Sequence, residues 1–213
     1  MFIIDFDDTL FDTFRWKQAR FLPLERLGIP RELIQETYRQ IRARTDIGYT
    51  NERHALALAD YGYDIPAILH AFDETTTVRA LRQFVFSDAV PFLTDLRGRG
   101  ERLALLSIGD SLFQQLKVKG CGLERYFQEV SFIQKEKERV VREFSSLNET
   151  SEPLWFINNR VAETQAVLAK VPTVRAVLKT SPDEPVAGYA ASGLPYFNTL
   201  TEIGEYVRRE SGR

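Results

Sequence analysis

The chain has little of what several kinds of active site require: one cysteine, Cys121, two histidines, His54 and His70, and no long apolar run among its 213 residues. A single thiol cannot form an internal disulfide, which agrees with a reducing compartment. Flanked by Gly120 and Gly122, Cys121 reads as part of a helix-ending turn, with no base nearby to make it a nucleophile. Two scattered histidines, both in helical patterns, are too few for a zinc site or a Ser-His-Asp triad. No apolar stretch approaches the ~20 residues of a membrane span. The first strand-like segment starts at residue 2, which leaves no space for a signal or transit peptide. A cytoplasmic protein without a membrane partner is therefore expected. An excess of one charge is also missing: net charge is -2 and the pI about 5.8, so there is no whole-chain basic field for nucleic acid or membrane, local patches aside.

What is there is an ordinary globular composition, 44% hydrophobic and 27% charged, long enough for one sizeable core and a smaller insert. Phe2-Ile3-Ile4 is a short apolar run that ends in Asp5-Phe6-Asp7-Asp8-Thr9-Leu10, a pattern for a buried strand with acids at its C-terminal tip. Three carboxylates within four residues repel one another, and burying one without a partner costs several kcal/mol, so a cation, a proton or donors must neutralise them. The plain alternative is an Asx-type turn that caps the next helix. Asp5 and Asp7, however, are two apart on an extended segment, which points both carboxylates to one side and favours a metal-assisted site.

From Thr13 to about Phe86 the apolar spacing is helical, as in Leu33-Ile34, Thr37-Tyr38 and Ile41. Breakers at Gly28-Ile29-Pro30, Gly48, Gly62 and Pro66 divide it into four or five helices, an inserted all-helical cap over residues 13–86. From Ser87 helix and strand alternate. A helix over Val90–Leu96 precedes strands at Leu103–Ser107, Val130–Ile133, Leu154–Ile157 and Val174–Leu178. Helices are expected after Ser111, with Gln114 as its capping-box partner, over Arg139–Leu147 and Ala162–Lys170, and from Thr199, capped with Glu202, to Arg208. Strands separated by helices require right-handed crossovers and a parallel sheet covered on both faces, an α/β core built from residues 1–12 and 87–213.

Ile3-Ile4-Asp5-Phe6-Asp7-Asp8-Thr9-Leu10 resembles the first motif, a hydrophobic strand then Asp-x-Asp-x-Thr, of the haloacid dehalogenase superfamily of phosphotransferases. The resemblance implies a Rossmann-like sheet in the order 3-2-1-4-5 and a small phosphorylated metabolite as substrate. It implies Asp5 as nucleophile, Asp7 as general acid and base, and Mg²⁺ between them. Ser107 matches the hydroxyl that binds the transferring phosphoryl group, and Thr9 and Gly109 join it on the substrate side. A lysine is required after the third strand; Lys135 and Lys137 both qualify, and Lys135, nearer the strand tip, is favoured. Where the family has Gly-Asp and a second acid three or four residues on, this chain reads Asn158-Asn159-Arg160-Val161-Ala162-Glu163. Glu163 matches the second acid, and Asn159 replaces the metal-binding Asp with a neutral oxygen ligand.

These residues together imply a phosphatase that works through an aspartyl-phosphate, with Lys135 and Ser107 stabilising charge and Asp5, Asp7, Asn159 and Glu163 around the ion. Asp7 sets the chain apart from the superfamily's dehalogenases, which lack that second Asp. A non-catalytic phosphate- or partner-binding module is the alternative, because of Asn159. A phosphorylation-receiver domain is disfavoured by the long helical insert. Within the cap, Arg42, Arg44, Tyr49, Asn51 and Arg53 cluster in sequence as candidates for contacting an anionic or ring-containing leaving group.

Overall fold

Phe2–Ile4 forms β1, and its three residues are buried on both faces, which is why the run is apolar without alternation. The computed structural model describes residues 1–44, 48–147 and 153–212. Strands β2 (Leu103–Ile108), β3 (Glu129–Ile133), β4 (Trp155–Asn158), β5 (Arg175–Lys179) and β6 (Tyr196–Phe197) join β1 in one parallel sheet of order β3-β2-β1-β4-β5-β6. In register, Ile4 lies between Leu105 and Ile157. The expected order is thus present, extended by an edge strand. The two residues of β6 follow Pro195 and carry too short a pattern to be read as a strand.

Side chains alternate across this sheet. Phe2, Ile4, Leu105 and Ile157 face one layer, where α6 (Ala89–Gly98), α7 (Ser111–Cys121) and α11 (Leu200–Glu210) cover them with Phe92, Val118 and Ile203. Ile3, Ala104, Leu106 and Phe156 face the other, covered by α8 (Lys137–Leu147) and α9 (Val161–Lys170) through Val141, Phe144 and Val167. A further short helix, α10 (Val186–Ala191), sets Tyr189 beside Leu178. Each fully buried Ile or Leu removed to Ala would cost about 2–5 kcal/mol, so the two layers fix the height of every strand tip.

Among the described residues between β1 and α6 the regular elements are helices: α1 (Thr13–Arg26), α2 (Arg31–Ala43), α3 (Asn51–Ala59), α4 (Ile65–Asp73) and α5 (Val78–Arg82). The first four enclose a cluster of their own, from Phe21, Leu24 and Ile34 to Leu58, Ile68 and Phe72. Trp16, Leu81 and Phe84 belong instead to the sheet's cluster, so α5 and the start of α1 form the seam. The Thr199–Glu202 capping box is present at α11. The expected box at Ser111 is not: Asp110 is the N-cap of α7, its carboxylate accepting from Phe113 N at 3.1 Å, and this frees Gln114 for another task. Among the described residues no helix is long and apolar enough to cross a membrane.

Candidate active site

Because β1 is paired on both sides, its C-terminal tip lies where the connections diverge, the crevice position of open α/β sheets. Asp5 continues the ladder, donating its N–H to Ile157 O at 2.9 Å, and is 4% exposed. Lys137 Nζ donates to Asp5 Oδ1 at 2.8 Å and to Asn158 Oδ1 at 3.1 Å, and pairs with Glu163 Oε2 at 2.9 Å. Burial pushes the Asp5 carboxyl up, to about 6, against the pull of Lys137, and the Glu163 charge adds to the rise. The Thr9 hydroxyl lies 3.5 Å from Asp5 Oδ2.

The lysine that reaches Asp5 is Lys137, whereas the expected Lys135 makes no contact with it among the described residues. Glu136 takes a left-handed φ of 65°, which turns the chain between the two lysines. Lys135 is left exposed in the turn, and Lys137 opens α8 and returns over the strand tips.

Asp7 is engaged from three sides. Lys117 Nζ lies 2.5 Å from its Oδ1, Gln114 Nε2 donates to Oδ2 at 2.7 Å, and the Thr13 hydroxyl also donates to it. Burial alone would raise the Asp7 carboxyl; the Lys117 charge and these three donors outweigh it and hold the group below its ordinary value. Lys117 is 3% exposed, with Phe6, Trp16 and Phe113 ring centroids 5.3–5.7 Å from its ammonium. That burial lowers its pKa, offset in part by Asp7.

Gln114 also donates to Ser107 Oγ at 3.1 Å and Ile108 O at 2.9 Å, so one amide joins the tips of β1 and β2. It gets close because residue 109 is glycine: at φ 153° a Cβ there would meet Gln114 Nε2 at 2.8 Å. Gly109 lines the cleft, but its N–H donates to Ile133 O and is not open to a substrate.

Asp8 fulfils the plain alternative. With φ 54° it forms the turn, its carboxylate accepting from Phe14 N at 3.0 Å in the first turn of α1, whose N-cap is Asp12, and burial pushes its pKa up to about 6.

At the tip of β4, Asn158 and Asn159 have separate roles. Asn158 accepts from Lys137 and donates to Glu163 Oε2 at 3.3 Å and Thr164 Oγ1 at 3.2 Å. Asn159 donates to Ser181 Oγ at 3.2 Å, and its Oδ1 accepts from no described residue. The Asp7 carbonyl oxygen likewise receives no donor among the described residues. Glu163, expected near a metal, lines the cleft and contacts Lys137 and Asn158. Among the described residues no group of three His, Cys, Asp or Glu side chains is arranged to hold a metal ion, so a cation here would rest on Asp5 and neutral oxygens.

These groups line a cleft of about 130 Å³ whose other wall is the helical bundle, through Trp16, Lys17, Arg20, Tyr38, Arg42 and Tyr49. Gly48 lets the bundle approach: a Cβ there would lie 2.5 Å from Asp110 N. Of the expected cap residues, Arg42 and Tyr49 line the cleft, Asn51 accepts from Arg20 Nη2 at 2.6 Å, Arg53 pairs with Asp110 at 3.6 Å, and Arg44 is exposed. Cys121 is buried, with its thiol pushed up to about 11 by desolvation, in keeping with an inert residue.

The strand-tip acid, the lysine from α8 and the β2 serine line one cleft, and a family model described as haloacid dehalogenase-like hydrolase matches residues 1–144 of the 213. The chain belongs to the haloacid dehalogenase-like hydrolases. Solved structures agree in fold. An L-2-haloacid dehalogenase from Xanthobacter autotrophicus, with chloropropionic acid covalently bound, is 16% identical with TM-score 0.64, covering 97% of both chains. A predicted phosphatase from Clostridium acetobutylicum is 16% identical with TM-score 0.60, covering 98% of this chain and 97% of its own. A candidate hydrolase of this family, YfnB of Bacillus subtilis, described as bound to magnesium and showing interdomain movement, is 16% identical with TM-score 0.59 over 96% of each chain. No curated protein matches the chain. This haloacid dehalogenase-like hydrolase adds two buried cations, Lys117 and Arg20, that local sequence reading passed over. Their signal is a basic residue on an apolar helical stripe: Phe113-Lys117-Cys121 and Trp16-Arg20-Leu24, each at spacings of four.

Proposed function

We propose that this hydrolase is a Mg²⁺-dependent phosphatase acting on a small phosphorylated metabolite through an aspartyl-phosphate. The observation that carries this reading is the pair of carboxylates at the β1 tip, each with its own buried lysine: Asp5 on Lys137 and Asp7 on Lys117. Asp5 attacks phosphorus, Lys137 neutralises the phosphoryl oxygens and the Ser107 hydroxyl donates to them, while Thr9, buried outside the cleft, donates to Asp5. The leaving oxygen needs a proton, and the Asp7–Lys117 pair holds one: the ammonium passes it to Asp7 and Asp7 to the oxygen. In the second step Asp7 takes a proton from water, which opens the phosphoryl-aspartate and restores the pair. A halide leaves unprotonated, so this second pair would be idle in a dehalogenase.

The donor set fits a hard cation: the Asp5 carboxylate, the Asp7 carbonyl oxygen and Asn159 Oδ1, the last two without a donor among the described residues. When bound, Mg²⁺ supplies positive charge to the phosphoryl oxygens. The helices over residues 13–86 act as a cap that excludes water from the phosphoryl-aspartate.

The test is release of orthophosphate from a panel of metabolite phosphates, and of chloride from L-2-chloropropionate, with and without Mg²⁺. Orthophosphate release that needs Mg²⁺ and vanishes in Asp5→Asn is expected. Chloride release without phosphatase activity would overturn the reading. Binding of phosphates with no turnover at saturating Mg²⁺ would favour a binding module, for which the neutral Asn159 is the supporting observation.

A further inference from the structure

Arg20 is 3% exposed and, among the described residues, makes no ion pair. Among the described residues its only hydrogen bonds leave from Nη2, to the Tyr49 hydroxyl at 2.9 Å and to Asn51 Oδ1 at 2.6 Å. Three of its five N–H bonds, on Nε and Nη1, therefore have no acceptor among the described residues. The guanidinium is enclosed by rings, with Trp16 at 4.4 Å, Phe72 at 4.5 Å, Tyr49 at 5.2 Å and Phe113 at 5.4 Å from Cζ to the centroids.

A buried cation without an anion is costly, and arginine has no escape by losing its proton. Rings offset only a part of that cost. Every other buried cation at this cleft has its carboxylate: Lys117 has Asp7, and Lys137 has Asp5 and Glu163. Arg20 lines the same cleft as Asp5 and Ser107, and the Trp16 and Phe113 rings that it touches are those that touch Lys117. The unmatched charge thus lines the space that a leaving group would fill, in the same cleft as Asp7.

We infer that Arg20, held by Tyr49 and Asn51, is the subsite for a second anionic group, and that the substrate is a small phosphate ester whose leaving group carries a carboxylate or another phosphate. This rests on the phosphatase reading for the position of the first phosphate. It assigns the cap's role to one residue: Tyr49 and Asn51 fix the plane of the guanidinium, and the free N–H edge takes the oxyanion.

Calorimetric binding separates the two readings without turnover. With Mg²⁺ at one fixed concentration, phosphonoacetate and methylenediphosphonate, each with two anionic groups, are compared with ethylphosphonate and with orthophosphate. The two-headed ligands should bind about 10- to 100-fold more tightly than ethylphosphonate, the scale of one charge-assisted contact. Whichever is tighter tells carboxylate from phosphate. Arg20→Gln should reduce the preference to within about threefold while orthophosphate affinity is kept, and Arg20→Lys, which retains stem and charge and guards against misfolding, should retain part of it. Wild-type protein that binds orthophosphate but shows no preference would overturn the inference and leave the phosphatase reading in place. Failure to bind any of the four would sink both.

Discussion

The Asp7–Lys117 pair makes a stability prediction that can be worked through. Asp7→Asn keeps an oxygen beside Lys117 but removes the charge, which strands an ammonium that is 3% exposed among aromatic rings. Breaking a buried pair in this way costs about 3–5 kcal/mol. The folded protein can limit the cost by releasing the Lys117 proton. From an ordinary lysine value of about 10.4, that release costs about 4 kcal/mol at pH 7.5 and about 2 kcal/mol at pH 9, at ~1.36 kcal/mol per unit. The stranded lysine has a folded pKa below its unfolded one, so the unfolded chain binds more protons and the deficit shrinks as pH rises. Lys117→Met strands Asp7 instead. That carboxylate is 27% exposed on its side chain and keeps Gln114 and Thr13, so about 2 kcal/mol is expected, and the sign reverses: the deficit shrinks as pH falls below about 5. The double variant removes both charges and should be more stable than the sum of the two losses implies, by about 2 kcal/mol or more. Urea unfolding followed by tryptophan fluorescence at pH 4, 7.5 and 9 measures all four proteins. A pH-independent deficit in Asp7→Asn, or strictly additive losses, would refute the ion pair as described.

Lys137→Met should lower turnover by at least about 100-fold, whereas Lys135→Met should leave it near wild type; equal effects would return the assignment to the exposed residue. Asn159→Asp adds a negative charge to the cation's donor set and should lower the Mg²⁺ concentration for half-maximal activity by about 5- to 150-fold, a shift whose absence in a titration would remove Asn159 from the metal. His54 is buried in the bundle, bonded to the Thr37 and Tyr49 hydroxyls, and burial with the Arg20 charge pushes its pKa down to about 3. The unfolded chain therefore binds the extra proton below pH ~6.5, and about 1–2 kcal/mol of stability should be lost between pH 6.5 and 5. His54→Gln should flatten that part of the profile, and an unchanged acid slope in the variant would place the proton elsewhere.

The sequence by itself determined the features set by local pattern. Three apolar residues ending in Asp-x-Asp specify a buried strand with acids on one side; alternating runs specify a parallel sheet; Thr199 with Glu202 specifies a helix start; and Ser107 at a strand end falls where the family hydroxyl is required. Each depends on residues a few positions apart, where backbone geometry alone dictates direction. Only the tertiary structure decided which charges meet. Spacing favours Lys135, nearer the strand tip, but the φ of Glu136 leaves Lys135 in solvent and Lys137 on Asp5, 132 residues away. Lys117 reaches Asp7 across 110 residues, and Gln114, which local pattern assigns to a cap, reaches it across 107 because Asp110 takes the cap instead. Arg20 is an amphipathic-helix arginine by pattern and becomes an unpaired buried cation only when α3 and the Phe113 ring of α7 close around it. The physical reason is the same throughout: a hydrogen bond or ion pair depends on distance in space, and for residues a hundred positions apart that distance is fixed by the packing of the layers between them.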